Sequence, residues 1–597
     1  MEKRIQLTID GKNVEAKAGQ TVLECANENG IFIPTLCDHP ALSPIGACRL
    51  CLVEIKGQRN LQTACTFPVS DGMEIETASE AVIDARKLVL DMIFSERNHF
   101  CPYCEMSGNC ELQDLGYRYG VDHWVFPTYT KAFPLDATNK YYLMDHNRCV
   151  LCQRCIRACD ELVANHTLDL RQRGSKSMVH ADSNIPLGES TCISCGTCTQ
   201  VCPTGALSYK RSAFMGKDSL TQKVKSTCNK CSIGCGIEIV TRGGNVLSIM
   251  GDWDAPVSHG LLCKMGRFEP LYDSRQRLTT PLLRTANGKF EKISWEKAIQ
   301  TLAKQINTLK APEIGMLAGS YSSNEALYLI KKLFYQELQV SSIGLINTVA
   351  PKIFNKTPSK LEEIAKGDII LVVGCDPLNY QPVASFIIKR AIDKGAKLIV
   401  VDDNEANGLS PFAFMNIKMT DISQAIEIAK RADNPFILYG AGITQAAIAE
   451  LKNLEDKARY IIVESGVNTV AAKALGLNNG YNPAALKLVY VSLGEQNYTG
   501  DDLFKKIPPH AFIVAQASYS SELTKKAELV LPAAIWSEQN SSVTNIEGRI
   551  QRINKAVEPL GDAKPDWEAL QLLSIQLGKD IPVSMDKVSV EVIESLK

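Results

Sequence analysis

Twenty of the 21 cysteines of this chain lie before residue 264, and the rest of its 597 residues hold only Cys375. Disulfide scaffolds are short, secreted chains that are cysteine-dense throughout. Thiols clustered at C-x2-C spacing in one part of a long chain point instead to metal binding. The sequence therefore divides into a metal-rich first part and a nearly thiol-free second part. Length alone suggests roughly four domains at about 150 residues each. A net charge of −1 leaves no electrostatic footprint for nucleic acid. No run of about 18 apolar residues predicts a membrane span. The opening Met-Glu-Lys-Arg-Ile runs straight into strand-like alternation without a signal-peptide core. A cytoplasmic protein without membrane insertion is the expectation.

Five segments are expected. Residues 1–78 read as a small β-rich domain: Ile5, Leu7 and Ile9 alternate, Asp10-Gly11 signals a hairpin, and Thr21 can cap a short helix ending at Gly30. Residues 79–138 open with apolar positions at helical spacing over Glu80–Ser95 and lead into a cysteine group. Residues 139–212 are a compact cysteine-rich unit, followed by a polar linker around Arg211–Ser226. Residues 221–280 carry the last cysteine group. Residues 281–597 change to an α/β pattern. Buried strands are predicted at Ile369–Val373, Lys397–Val401, Phe436–Tyr439, Tyr460–Val463, Leu488–Val491 and Phe512–Val514, with a helix over Pro382–Lys394. Such alternation argues a parallel, doubly wound sheet.

The cysteines fall into five sets. Cys37, Cys48, Cys51 and Cys65 place a C-x2-C pair between two distant partners, a plant-type arrangement for a [2Fe–2S] cluster. Cys101, Cys104 and Cys110 leave a [4Fe–4S] cluster one ligand short, and His99 just before them is expected to supply it. Cys149, Cys152, Cys155 and Cys159 form C-x2-C-x2-C-x3-C; Cys192, Cys195, Cys198 and Cys202 repeat it before Pro203. In this bacterial two-cluster run the fourth cysteine ligates the other cluster. One cluster is thus expected on Cys149, Cys152, Cys155 and Cys202, the other on Cys192, Cys195, Cys198 and Cys159. Cys228, Cys231, Cys235 and Cys263 form the fifth set, for which zinc is the competing occupant. Only Cys25 and Cys375 remain, and both read as core thiols.

The first set resembles the ferredoxin domain of the large iron–sulfur subunit of respiratory complex I and related hydrogenases, which implies a β-grasp fold. In complex I the ligating His stands four residues before the first cysteine, where this chain has Arg97. Asn98-His99-Phe100-Cys101 is similar instead to the relay subunit of NAD-reducing soluble hydrogenases. Lys264-Met265-Gly266-Arg267 and Arg277–Leu282 resemble the start of molybdopterin-dependent oxidoreductases such as formate dehydrogenase, a family that opens with a [4Fe–4S] domain. Gly367–Gly374, Leu531–Ala534 and Thr544–Gln551 continue that resemblance.

Three departures from it lead us to expect no molybdenum or tungsten pterin. The segment Ile346–Lys352 has no cysteine followed by histidine. Met265 stands where that family has a lysine. The chain also leaves no room for the family's C-terminal barrel. Gly440-Ala441-Gly442 lacks the third glycine of a dinucleotide fingerprint, Gln445 standing there, so close strand–helix packing is expected rather than flavin or NAD.

The resemblances imply an oxidoreductase subunit with no catalytic residue of its own, relaying electrons through one [2Fe–2S] and four [4Fe–4S] clusters. A flavin-based electron-bifurcating transhydrogenase linking NADH, NADPH and ferredoxin is the implied function, with the large subunit of complex I and a formate dehydrogenase subunit as alternatives. The implied partners are a flavin- and NADH-binding subunit, a small thioredoxin-like [2Fe–2S] subunit, a second flavoprotein and ferredoxin.

Overall fold

Ile5, Leu7 and Ile9 point their side chains to one face of a strand, and in the computed structural model that face is the floor of the first core. The structure describes residues 4–123, 125–127, 132–478, 480–496, 501–579, 581 and 583–596. The first three residues, on which the reading of the chain's start rests, lie outside it. The chain forms two units, Met1–Thr221 and Gln222–Lys597.

In the first unit, β1 (Arg4–Ile9) and β2 (Lys12–Lys17) form the expected hairpin, with Asp10 and Gly11 both at positive φ. Strands β3 (Leu52–Ile55), β4 (Gln62–Thr63) and β5 (Glu74–Glu76) complete a sheet in the order β2-β1-β5-β3-β4, with β5 parallel to β1. Helix α1 (Val22–Glu28) packs Val22, Leu23, Cys25 and Ala26 onto it. Thr21 and Glu24 close a capping box at its start. This is the β-grasp arrangement. Helix α2 (Glu80–Glu96), capped by Ser79, buries Leu90 and Phe94 against Leu112 and Leu115 of α3 (Glu111–Arg118). Beyond it Tyr142–Asp145 pairs antiparallel with Leu207–Tyr209, and Leu168–Arg171 with Met178–Ala181.

The second unit opens with three antiparallel strands, Gln222–Thr227, Gly236–Arg242 and Asn245–Gly251. The polar stretch predicted as linker over Arg211–Ser226 is therefore linker only to Thr221; its end is a strand whose Ser226 and Thr227 are buried.

The α/β part contains the expected parallel strands, in two sheets. Strands Ile369–Val373, Lys397–Val401, Met415–Ile417, Pro435–Gly440 and Arg459–Val463 form a five-stranded, wholly parallel sheet. Leu488–Gly494 and Phe512–Ala517 belong to a seven-stranded sheet with Ile314–Ala318, Ser342–Leu345 and Leu529–Pro532, all parallel, plus an antiparallel edge hairpin of Leu282–Arg284 and Phe290–Lys292. Each sheet is covered by its own helices, and each has its own core. The predicted helix runs over Pro382–Asp393. No helix among the described residues is long and apolar enough to cross a membrane.

Candidate iron–sulfur centres

The loop between α1 and β3 carries Cys37, Cys48 and Cys51, and the turn after β4 carries Cys65. Cys37, Cys51 and Cys65 are each 1% exposed. The Cys51 and Cys65 sulfurs stand 3.4 Å apart, and the backbone N–H groups of Cys48 and Leu36 donate to the sulfurs of Cys37 and Cys48, each at 3.4 Å. Hydrogen bonds among the four thiols pull Cys37 and Cys51 down and push their partners Cys48 and Cys65 up. Thiolate is the form that binds metal. Arg49, at φ 58°, turns the backbone between Cys48 and Cys51.

His99, Cys101, Cys104 and Cys110 come from the end of α2 to the start of α3. Cys101–Tyr103 is one 3₁₀ turn, and Cys110 occupies the N-cap of α3. Burial, then Arg148 and Arg97, lowers His99 to about 4, so its imidazole is neutral at pH 7. One ring nitrogen is hydrogen-bonded to the Ile93 backbone, while Nε2 is buried without a partner. That pairing fixes the ring as an outer-shell carbonyl does for a metal-ligating histidine. Arg97 does not reach a cysteine: it donates to the carbonyls of His146 and Ser177 and stacks on Phe133 at 4.1 Å. Gly205 presses on this site; a Cβ there would sit 2.7 Å from the Cys104 sulfur.

The two C-x2-C-x2-C-x3-C runs fold into matching loops. Leu151 and Gln153 have φ of 54° and 58°, and Ser194 and Gly196, at the equivalent steps, 55° and 74°. In both loops the amide two residues after the first cysteine donates back to its sulfur at 3.4 Å. Cys149, Cys152, Cys155 and Cys202 line one small cavity. Cys159, Cys192, Cys195 and Cys198 line another. The fourth cysteine of each run thus sits with the first three of the other. Buried polar atoms without partners also belong to lining residues: Nδ1 of His146 in the first cavity and Oγ1 of Thr197 in the second. The Tyr142 hydroxyl lies 3.1 Å from the Cys192 sulfur. Between Cys155 and Cys159 the helix Arg154–Arg157 passes into a π-turn, Ala158–Leu162. No periodicity in the sequence announces that turn, although such turns gather at functional sites.

Cys228, Cys231, Cys235 and Cys263 are all buried. The Cys228 amide donates to the Cys235 carbonyl at 2.8 Å, and a Cβ on Gly266 would lie 2.9 Å from the Cys228 sulfur. Cys263 occupies the N-cap of Lys264–Arg267, which leaves Lys264 exposed. Sequence reasoning missed Lys230, which lies inside the cysteine loop and pairs with the buried Glu495 at 2.7 Å. Asn229 and the Trp536 amide bond the same carboxylate. Thr544–Gln551 covers this loop: Ile546 N–H, Asn545 and Gln551 donate to the carbonyls of Ser232, Ile233 and Gly234. Among the described residues, no three His, Cys, Asp or Glu side chains converge as one mononuclear ion requires.

Cys25 is fully buried in the first core. Cys375 is only partly buried, at the end of its strand, with its thiol 3.8 Å from the Leu438 carbonyl and pushed well up by burial. Gly440-Ala441-Gly442 packs strand end on strand end rather than strand on helix: Gly442 N–H donates to the Gly374 carbonyl at 3.0 Å, and a Cβ on Gly374 would meet the Gly442 backbone at 2.6 Å.

Iron–sulfur domains joined to an α/β domain with parallel sheets define a class, the iron–sulfur oxidoreductase subunits. The chain belongs to the molybdopterin oxidoreductase family, whose pattern matches residues 277–576. A 2Fe-2S iron-sulfur cluster binding domain matches residues 2–80, and an NADH-ubiquinone oxidoreductase-G iron-sulfur binding region matches residues 86–124. An NADH-quinone oxidoreductase subunit 3 ferredoxin-like domain matches residues 141–208, and a molybdopterin oxidoreductase Fe4S4 domain residues 221–271.

The chain is similar to a putative formate dehydrogenase of Bacillus subtilis, with 27% identity over 96% of this chain and 76% of that protein. It is similar to the NADH-ubiquinone oxidoreductase 78 kDa subunit of Neurospora crassa, with 28% identity over 97% and 81%. The NADPH-Fe(3+) oxidoreductase subunit alpha of Geobacter sulfurreducens is 27% identical over 95% and 80%.

Proposed function

We propose that this chain is the iron–sulfur relay subunit of an NAD(P)H-linked oxidoreductase complex, holding one [2Fe–2S] and four [4Fe–4S] clusters on the five sets described above. The observation that carries this reading is the pair of cavities, each lined by three cysteines of one run and the fourth of the other. When bound, such clusters accept and release single electrons. The protein's own residues hold the thiolates, exclude water from them and direct N–H groups at their sulfurs. Two of the relatives are named subunits of NADH- and NADPH-linked enzymes, which supports a flavin- and NADH-binding partner; a small thioredoxin-like [2Fe–2S] subunit and ferredoxin as a redox partner complete the proposed complex.

The finer reading is an electron-bifurcating transhydrogenase coupling NADH, NADPH and ferredoxin, with a second flavoprotein in the complex. An active site of the iron-only hydrogenase type would need cysteines beyond the two this chain has to spare. A metal–pterin does not fit the residues present: Ile346–Lys352 offers no thiol or imidazole, Lys264 is exposed and Lys230 is held by Glu495. The α/β part then acts as a docking scaffold.

Anaerobically purified protein is expected to contain about 18 iron atoms and about 18 sulfides per chain, with no molybdenum or tungsten. Zinc in their place would overturn the reading. Co-purification with membrane subunits would assign the chain to a complex I instead of a transhydrogenase. His99→Ala is expected to change one EPR signal of the reduced protein and leave the rest in place, and an unchanged spectrum removes His99 from the ligand set.

A further inference from the structure

Between Cys155 and Cys159, which line different cavities, the chain carries Arg157. Its side chain leaves this segment for the first cysteine loop. Arg157 is 8% exposed. One terminal nitrogen donates to the Ser43 carbonyl. The other donates both to the Cys37 carbonyl and, at 3.3 Å, to the Cys152 carbonyl. Glu161, one turn further on, accepts from the Ser43 amide at 2.8 Å. Ser43 is thus gripped at its N–H and at its C=O by the same short segment. That segment carries a cysteine of each ferredoxin-type set and holds the loop of the β-grasp set.

The charge around Arg157 is as informative as the geometry. Its bonded acceptors are neutral carbonyls, and its Nε is buried without a partner. The neighbouring Arg154 differs, because Glu111 takes both its terminal nitrogens at 2.6 and 2.8 Å. The carboxylate that feels both arginines is Asp38, beside Cys37. A buried cation whose hydrogen bonds all go to neutral carbonyls is costly unless negative charge lies near it, and Asp38 supplies part of that charge. Thiolate-ligated iron–sulfur sites carry such charge, and one nitrogen of Arg157 touches a cysteine from each of two of them.

We infer that Arg157 is a positioning residue that clamps the Cys37 loop onto the Cys152 loop and sets the reduction potentials of those two centres together. The inference rests on the cluster reading above. A lysine cannot replace it fully, since an ammonium supplies the charge but not the fork that reaches three carbonyls at once.

The test uses the full chain, loaded with its clusters, and EPR-monitored redox titration. Arg157→Met is expected to lower the potentials of the [2Fe–2S] centre and of the Cys149 centre, each by about tenfold in its reduction equilibrium, or 59 mV for one electron. The other three centres stay in place, and the magnetic interaction between the pair weakens. Arg157→Lys restores the potentials and not the interaction. With iron content as in the wild type, unmoved potentials in Arg157→Met overturn the inference. Should Arg157→Met lose iron, Arg157→Lys decides, because an undiminished interaction there overturns it equally. A wild-type chain without a [2Fe–2S] signal fails the cluster reading and not the role of Arg157.

Discussion

Cys202→Ala is expected to abolish the centre built on Cys149, Cys152 and Cys155 while leaving the one built on Cys192, Cys195 and Cys198. Along the chain Cys202 is only four residues from Cys198, so a local reading predicts the opposite. Pro203 follows it, and the backbone turns back so that the Cys202 thiol enters the other cavity, where it approaches the Thr204 carbonyl at 3.3 Å. The reciprocal variant, Cys159→Ala, should empty the Cys192 site. Each change should remove about four of about 18 iron atoms, read by iron analysis together with the identity of the EPR signal lost. A Cys202→Ala protein that loses the Cys192 signal would show that the runs do not cross.

A second large effect is expected from a residue that touches no metal. Gly251 ends the strand Asn245–Gly251, and a Cβ there would lie 1.9 Å from the Gly260 carbonyl oxygen. Gly260 itself has φ +81°, and a Cβ on it would strike the Trp253 ring at 2.1 Å. These two glycines let the chain close on itself, so that Leu261 and Leu262 bury and Cys263 returns to its three distant partners. Backbone opposite a new methyl cannot swing aside as a flexible side chain can. Gly251→Ala should therefore destabilise the second unit by about 3 kcal/mol. The loss should appear as a lower urea midpoint, accompanied by selective loss of the fifth centre. An unchanged midpoint would mean that the loop relaxes freely.

Some of this was legible in the residues. Alternation at Ile5, Leu7 and Ile9 with Asp10-Gly11 gave the hairpin, because a period of two and a turn at positive φ are local properties. The helix of residues 80–96, the cap at Thr21 and most α/β strands were equally local. The two-sheet division was not. Ile314–Ala318 and Ile369–Val373 are similarly apolar runs, and only their partners in space assign them to different sheets. Nor was the strand Gln222–Thr227 visible: its composition is polar, and it is held by pairing with Gly236–Arg242.

The cysteine spacing by itself determined how many metal sites to expect and which thiols belong to each run, since spacing within a tight loop limits what the loop can reach. The two-cluster pattern also pointed to the exchange of Cys202 and Cys159. What only the tertiary structure decided is which other groups meet across loops. It leaves the buried Nε2 of His99 without a protein partner. It sets Lys230 against Glu495, and it joins the Cys37 and Cys152 loops through Arg157. The reason is physical. A guanidinium or carboxylate finds its partner by distance in space, and 120 residues of chain separate Cys37 from Arg157.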